Sequence, residues 1–316
     1  PAGPRGISAV TLLRRRKRGI CLERSGSALS FFEQGQNRMK PHKLILLDYS
    51  GTLSLQAVLF GRGDSLQSAL DQSGLAFLGI TPSRLWEKIV HPTWEEGSTT
   101  PVGYRQILLR CLLHDAGGAS SSAGSGFVPD LGRAAQAFVD SYLAASRMED
   151  PWRPLLRKLA DQPGLCTVIA TDHYAEATPA ILRYLADWEI PAVSAKEAFG
   201  PEPPAALIVA NSADLGAHKD SPCFWQSLKS GLGLHALKDI LLIDDFGLNE
   251  HSGDAYGDRN RVERRQEETA RLLREIFSVE ARIFRFFLER GKGLPDYEQL
   301  MRRVECLVEQ FLEGTG

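Results

Sequence analysis

Lys43-Leu44-Ile45-Leu46-Leu47-Asp48-Tyr49-Ser50-Gly51-Thr52-Leu53 is the stretch that decides the fold. Four consecutive, mostly branched apolar residues are the pattern of a strand buried on both faces. The run stops at Asp48, with Ser50, Gly51 and Thr52 just beyond. That puts a carboxylate at the carboxyl end of a parallel strand, where open α/β sheets bind their ligands. Gly51 lets the backbone turn away sharply, and the amides of Gly51 and Thr52 are candidates to face an anion.

The rest of the composition fits a core of that kind. The chain has 316 residues, 43% hydrophobic and 24% charged, which is ordinary for a soluble globular protein. A net charge of −2 gives no reason to expect nucleic acid or an acidic membrane as a partner. No apolar run approaches the roughly 20 residues needed to cross a bilayer. Five scattered cysteines, with no Cys-x-x-Cys pair, predict reduced thiols and a cytoplasmic location. Oligomeric state is not legible.

Residues 1–38 differ from the remainder. They carry the basic cluster Arg14-Arg15-Arg16-Lys17-Arg18 and little periodicity. With the first methionine at Met39, they read as an upstream extension without fixed structure. An organelle transit peptide and a nucleic-acid-binding tail are the alternatives.

Residues 54–150 read as helical. Thr81-Pro82-Ser83 is an N-cap with proline at the first helical position, opening a helix Arg84 to Val90. A helix Gly103 to His114 puts Tyr104, Ile107, Leu108 and Leu112 on one face. A helix from Leu131 to Ser146 turns Ala134, Phe138 and Leu143 inward. Trp94 to Thr100 reads as a polar connection, and either reaches into a site as a specificity loop or is a plain link. Gly117 to Gly126, almost all Gly, Ala and Ser, reads as a flexible loop.

After Pro151 strands and helices alternate, which predicts a doubly wound parallel sheet. Strands are expected at Cys166–Ala170, Ala206–Ala210, Asp239–Ile243 and Ala281–Phe286. Helices are expected at Trp152–Leu159, Ala177–Trp188, Pro222–Leu228, Thr269–Phe277 and Tyr297–Leu312. The charged run Tyr256 to Arg265 reads as a solvated face. The organisation is thus an α/β core from residues 39–53 and 151–316, interrupted by an all-α insert over 54–150.

Four stretches fall at strand ends or in loops near them, where such a sheet gathers them along one edge. Asp48 is a candidate nucleophile toward phosphorus, or else a turn cap. Thr171 ends the second strand, and Asp172, His173 and Tyr174 begin the polar loop after it. Asp172 is a candidate substrate contact. His173 is a candidate general acid or a solvated bystander. Lys219 precedes a proline and a helix, with Lys196 as its rival. Asp244 and Asp245 follow a buried strand, where adjacent acids are costly unless something neutralises them. A hard divalent cation such as Mg²⁺ does so with oxygen ligands.

Taken in order, Asp48-x-x-Gly51-Thr52, then Thr171, Lys219 and Asp244-Asp245 resemble the four motifs of the haloacid dehalogenase (HAD) superfamily of phosphatases and related enzymes, over residues 41 to 290. The resemblance implies a Rossmann-like core with a helical cap inserted after the first motif, covering the site and selecting the substrate. It implies Asp48 as nucleophile and Thr171 and Lys219 as partners of the phosphoryl group. It implies Mg²⁺ held by Asp48, Asp245, the Ser50 carbonyl and the surroundings of Asp244, with Asn249 where a further acid often stands. The substrate implied is a small phosphorylated metabolite.

Ser50 departs from the pattern. The superfamily's phosphatases carry a second aspartate there, which protonates the leaving oxygen and then activates water. A serine hydroxyl is far too weak an acid and base for that role, worth roughly 10²- to 10⁴-fold. Three alternatives follow. A phosphonate hydrolase would need a cap lysine, for which Lys88 is the only candidate in the insert. A haloacid dehalogenase would need a carboxylate site, for which Arg105 is the candidate. The third alternative is a catalytically weak regulatory protein that keeps the metal site.

Overall fold

The computed structural model describes residues 40–118, 130–200, 204–249, 259–288 and 294–314. The extension 1–38 and its basic cluster lie outside them, as do Tyr256 to Asp258 and all of the Gly/Ser tract except Gly117 and Gly118. The last two close a helix.

Lys43–Asp48 forms β1, buried along its whole length. Four further strands carry the apolar runs expected of them: Leu165–Thr171 (β2), Leu207–Asn211 (β4), Asp239–Asp244 (β5) and Ala281–Arg285 (β6). A three-residue strand, Ala192–Ser194 (β3), has no counterpart in the sequence pattern and sits at the sheet edge. Among the described residues the six strands run parallel in the order β3-β4-β2-β1-β5-β6.

Side chains alternate between the two faces of the sheet, as the pleat requires. Ile45, Leu47, Ile169, Val209, Leu241 and Ile243 point to one side, packed with Trp152–Ala160 (α7), Ala177–Asp187 (α8) and Leu294–Glu313 (α13). Leu44, Leu46, Val168, Ile208, Ile240 and Leu242 point to the other, packed with Ala195–Ala198 (α9), Pro222–Gly231 (α11) and Arg259–Phe277 (α12). The short Ser212–Leu215 (α10) caps β4. This is a doubly wound α/β sheet. Helix α12 starts ten residues before the apolar signal at Thr269. Its charged surface supports itself through Arg271, which pairs with Glu268 and Glu275 one turn away.

Between β1 and α7 the described residues are helical: Leu55–Phe60 (α1), Gly63–Ser73 (α2), Pro82–Arg84 (α3), His91–Thr99 (α4), Tyr104–Gly118 (α5) and Leu131–Ala145 (α6). Thr81 caps α3 by accepting from the Arg84 amide, with Pro82 in the first turn. A π-helical stretch, Leu85–Val90, then joins α3 to α4. Their inward side chains, among them Phe60, Leu70, Ile89, Ile107, Leu108 and Phe138, form an apolar cluster of their own.

The expected connection at Trp94 to Thr100 is corrected by α4. The hydroxyls of Ser98, Thr99 and Thr100 bond back to the carbonyls of Trp94, Glu95 and Glu96, so polar groups that could compete for the backbone in a loop are satisfied within the helix. Gly97 is buried there, and glycine is required because a Cβ would lie 2.4 Å from the Tyr174 ring.

Lys43 closes the sheet against α13. Its buried ammonium donates to the carbonyls of Phe311, Leu312 and Gly314, each at 2.8 Å, the unsatisfied end of that helix. Replacing Lys43 by Met is therefore expected to lower stability by about 1–3 kcal/mol in urea denaturation. An unchanged midpoint would contradict this.

Candidate active site

The carboxyl ends of β1, β2 and β5 lie side by side. Asp48 pairs with Ala170, one residue before Thr171, and Leu47 pairs with Ile243, one residue before Asp244. Past Asp48 the chain doubles back at once. Gly51 sits at φ +83 and its amide donates to the Ser54 carbonyl at 2.9 Å, while the Ser54 amide donates to Tyr49. A Cβ on Gly51 would lie 2.2 Å from Asp245 Oδ2, so both conformation and space demand glycine. Past β5 the backbone is left-handed at Phe246 and again at Gly247. That turn folds amides onto both acids: Phe246 donates to Asp244 Oδ1 at 2.7 Å, and Gly247 and Asn249 donate to the two oxygens of Asp245 at 2.8 and 3.0 Å. The Thr52 hydroxyl accepts from the Asp245 amide at 3.1 Å, tying the two turns together.

Lys219 reaches into this cluster. Its Nζ donates to Asp48 Oδ1 at 2.6 Å and to Asp244 Oδ2 at 3.1 Å. Its backbone is held at both polar atoms, the amide by Asp172 Oδ1 at 2.9 Å and the carbonyl by Trp225 Nε1 at 2.7 Å. The other oxygen of Asp48, Oδ2, is buried with no hydrogen-bond partner. Asp48, Asp244 and Asp245, all buried, bring one carboxylate oxygen each within 4.8 Å of one another.

When all are ionised, three carboxylates and one ammonium leave two negative charges uncompensated in a buried site. Burial pushes the Asp48 carboxyl up to about 7; Lys219 opposes this and Asp244 adds to it. Burial, with Asp48 and Asp244 beside it, pushes Asp245 well up too. For Lys219 burial alone would lower the ammonium, but Asp244, Asp48 and Asp172 together hold it above its ordinary value. A hard divalent cation fits this donor set. It would supply the missing charge, and Asp48, Asp244 and Asp245 each bring one oxygen close enough to share a single ion.

The sequence candidates fall into two groups. Asp48, Lys219, Asp244 and Asp245 converge, and Thr171 is buried at the end of β2 beside them. Ser50 is half-buried in a bridge to Ser54. Lys196 is exposed, which leaves Lys219 as the lysine of the cluster.

The others are engaged elsewhere. The Asn249 carboxamide donates to the carbonyls of Gly51 and Phe286 and accepts from the Leu288 amide, so it braces three backbone segments rather than facing the acids. The Gly51 and Thr52 amides, expected to face an anion, donate to Ser54 and Tyr49. Asp172 binds the Lys219 amide, as a tether. The Arg105 guanidinium is exposed and donates to Gln136 on α6. Lys88 is exposed. His173 is buried: Nδ1 accepts from the Tyr174 amide, so the proton is on Nε2, which meets the Tyr142 hydroxyl at 2.6 Å. Burial pushes its imidazole down to about 4, too low for a general acid near neutral pH.

The helices over this edge are pinned to it. Glu176 caps α5 by accepting from the amides of Tyr104 and Arg105 at 2.8 and 3.2 Å. The Tyr104 and Tyr174 rings stack at 4.2 Å. On the other side of the edge, Ser98 of α4 meets His218 Nε2 at 2.6 Å, and Trp94 stacks on the same imidazole. Sequence reasoning passed over Asp172 as a tether, Trp225 and His218; only the proximity of His218 to Lys219 in the chain pointed to any of them.

No family model matches the sequence, and no curated protein does. Among solved structures the chain is similar to a 2-haloacid dehalogenase from Pseudomonas syringae pv. Tomato DC3000, with a TM-score of 0.44 and 16% identity over 84% of this chain and 98% of that one. It is also similar to the putative HAD-hydrolase YfnB from Bacillus subtilis bound to magnesium, with a TM-score of 0.35 and 15% identity over 71% of this chain and 83% of that one. Among the described residues no helix is long and apolar enough to cross a membrane.

The buried, neutral His173 sets an acid limit on stability. Its folded pKa lies below the unfolded 6.5, so the unfolded state takes up more protons between pH 6.5 and about 4. The His173 contribution is full above pH 6.5 and falls by roughly 3 kcal/mol as pH drops toward 4, while the raised Asp48 and Asp245 carboxyls contribute the opposite slope over that range. In denaturant titrations at several pH values, the stability of wild type relative to His173→Asn should fall by that amount between pH 6.5 and 4, whatever the variant's effect at neutral pH. An equal slope in both proteins would contradict the assignment.

Proposed function

We propose that this chain is a Mg²⁺-dependent hydrolase of the HAD superfamily that removes a phosphoryl group from a small metabolite through an aspartyl-phosphate on Asp48. The observation that supports this most is the Asp48 carboxylate: one oxygen is held by Lys219 and the other is buried and unpartnered. An oxygen oriented by its twin and stripped of hydrogen bonds is suited to attack phosphorus.

In this reading Asp48 and Asp245 hold the cation, with Asp244 alongside. When bound, it neutralises charge on the nucleophile and the phosphoryl oxygens. Lys219 favours the ionised form of Asp48 against its burial and offsets the charge that builds in the transition state. Asp172 and Trp225 fix the lysine backbone, so its ammonium arrives already oriented. Thr171, at the end of the neighbouring strand, offers a hydroxyl to the phosphoryl group. The helices over 54–150 act as a cap that excludes water and selects the substrate.

The proton steps are the weak part of the machine. Ser50 does not serve as acid and base, and His173 is held neutral and hydrogen-bonded away from that task. The leaving group therefore departs with little proton help, which favours substrates whose leaving oxygen is already a weak base. A second reading rests on the same residue: a protein that keeps the metal site and has given up turnover.

Three proteins separate these readings in a phosphatase assay over a metabolite panel with Mg²⁺. Wild type is expected to turn over slowly, Asp48→Asn to fall to background, and Ser50→Asp to gain part of the roughly 10²- to 10⁴-fold that general acid–base help supplies. Chelation should abolish turnover and added Mg²⁺ restore it. Metal binding without turnover in any of the three would favour the binding protein.

A further inference from the structure

The segment Trp94 to Thr100 turns out to be a helix with its end against the lysine loop, and one residue joins the two. His218 directly precedes Lys219. Its Nε2 meets Ser98 Oγ on α4 at 2.6 Å, and its ring stacks on Trp94 with centroids 6.2 Å apart and planes 12° apart. The exposed carboxylate of Glu95, one turn back, lies 3.4 Å from its Nδ1.

Serine, histidine and glutamate in a row suggest a nucleophile, but the details say otherwise. Ser98 is fully buried in the last turn of α4, and its hydroxyl donates to the Trp94 carbonyl. With that proton engaged, the oxygen can only accept, so His218 donates from Nε2–H. The serine has neither access to a substrate nor a proton to surrender. It is an anchor.

We infer that His218 is a positioning residue: docked on α4 through Ser98 and Trp94, it sets where Lys219 carries its ammonium. The lysine backbone is held from within the core by Asp172 and Trp225. His218 adds a side-chain hold from the helical insert on the peptide immediately before it, at a partly exposed position. When α4 is in place, the loop has a third fixed point and the ammonium sits between Asp48 and Asp244. When α4 moves away, the loop loses that point and the ammonium is less well placed. Closure of the insert over the sheet edge is thereby coupled to assembly of the charge that activates Asp48.

The kinetic part of this inference rests on the phosphoryl-transfer reading; the coupling itself does not. Four variants test it: Ser98→Ala, His218→Ala, the double variant, and His218→Gln, whose amide nitrogen stands close to where Nε2 was. With any substrate the assay finds, and Mg²⁺ saturating, each alanine variant is expected to lose roughly 5- to 10-fold in kcat, the worth of one hydrogen bond. KM should stay within about 2-fold, the double variant should fall no further than the worse single, and glutamine should recover most of the loss. Additive losses, an effect confined to KM, or a glutamine variant no better than alanine would overturn the inference.

Hydrogen exchange without substrate gives an independent reading if no substrate turns over. In Ser98→Ala the amides of 91–99 and of 216–220 are expected to lose protection together, while His218→Gln keeps both. Loss in one segment alone would overturn the coupling, whatever the chain's activity proves to be.

Discussion

The ammonium of Lys219 between Asp48 and Asp244 is the interaction on which the rest of the site depends. The register of β1 and β5 puts the two carboxylates at adjacent strand ends, and the sheet buries them there. Burial drives the Asp48 carboxyl toward the neutral form, and the neighbouring Asp244 adds to that. The lysine reverses part of that, and it can do so only because its own burial is repaid by the acids around it. Each group would be untenable alone. Together they still fall short of neutrality, and that residual negative charge is the physical reason to expect a cation.

The sheet explains why the groups meet. β1 lies between β2 and β5, so the loops leaving its neighbours part on either side of Asp48. The turns are tied to the acids and to one another: the Phe246 amide donates to Asp244, the Thr52 hydroxyl accepts from the Asp245 amide, and the Asn249 carboxamide bridges the Gly51 and Phe286 carbonyls. The turns are rigid because these buried polar groups are partnered. Asp48 Oδ2 is the exception, and an unpartnered buried oxygen is where chemistry is to be expected. In the proposed phosphoryl transfer, Ser50 brings a hydroxyl where a carboxyl would be the useful group, so proton transfer rather than nucleophilic attack is the step expected to limit turnover.

Much of this was legible in the sequence because the information is local. A buried strand announces itself by its apolar run, and an acid at its end is then placed by the topology, as for Asp48, Asp244 and Asp245. Lys219 was legible as a lysine before a proline-initiated helix. What failed were inferences about where a side chain points. Asn249 looks like a ligand by position, yet its carboxamide serves three backbone groups. Arg105 looks like a carboxylate binder, yet it lies on the outer side of α5 against Gln136. The segment Trp94 to Thr100 looks like a loop because Gly, Ser and Thr favour loops, but tertiary contacts override that preference: Gly97 packs on Tyr174, Trp94 on Tyr174 and His218, and Ser98 bonds His218. β3 is too short to carry a pattern.

The central claim is that Asp48 itself takes the phosphoryl group, and trapping it is the most direct test. Brief mixing with radiolabelled acetyl phosphate and Mg²⁺, acid quenching and tryptic digestion should place an acid-stable, hydroxylamine-labile label on the peptide spanning residues 44–62. With proton transfer slowed by Ser50, hydrolysis of that adduct is slow and the label should accumulate. Turnover of acetyl phosphate without label on this peptide, or a label elsewhere in the chain, would contradict the account.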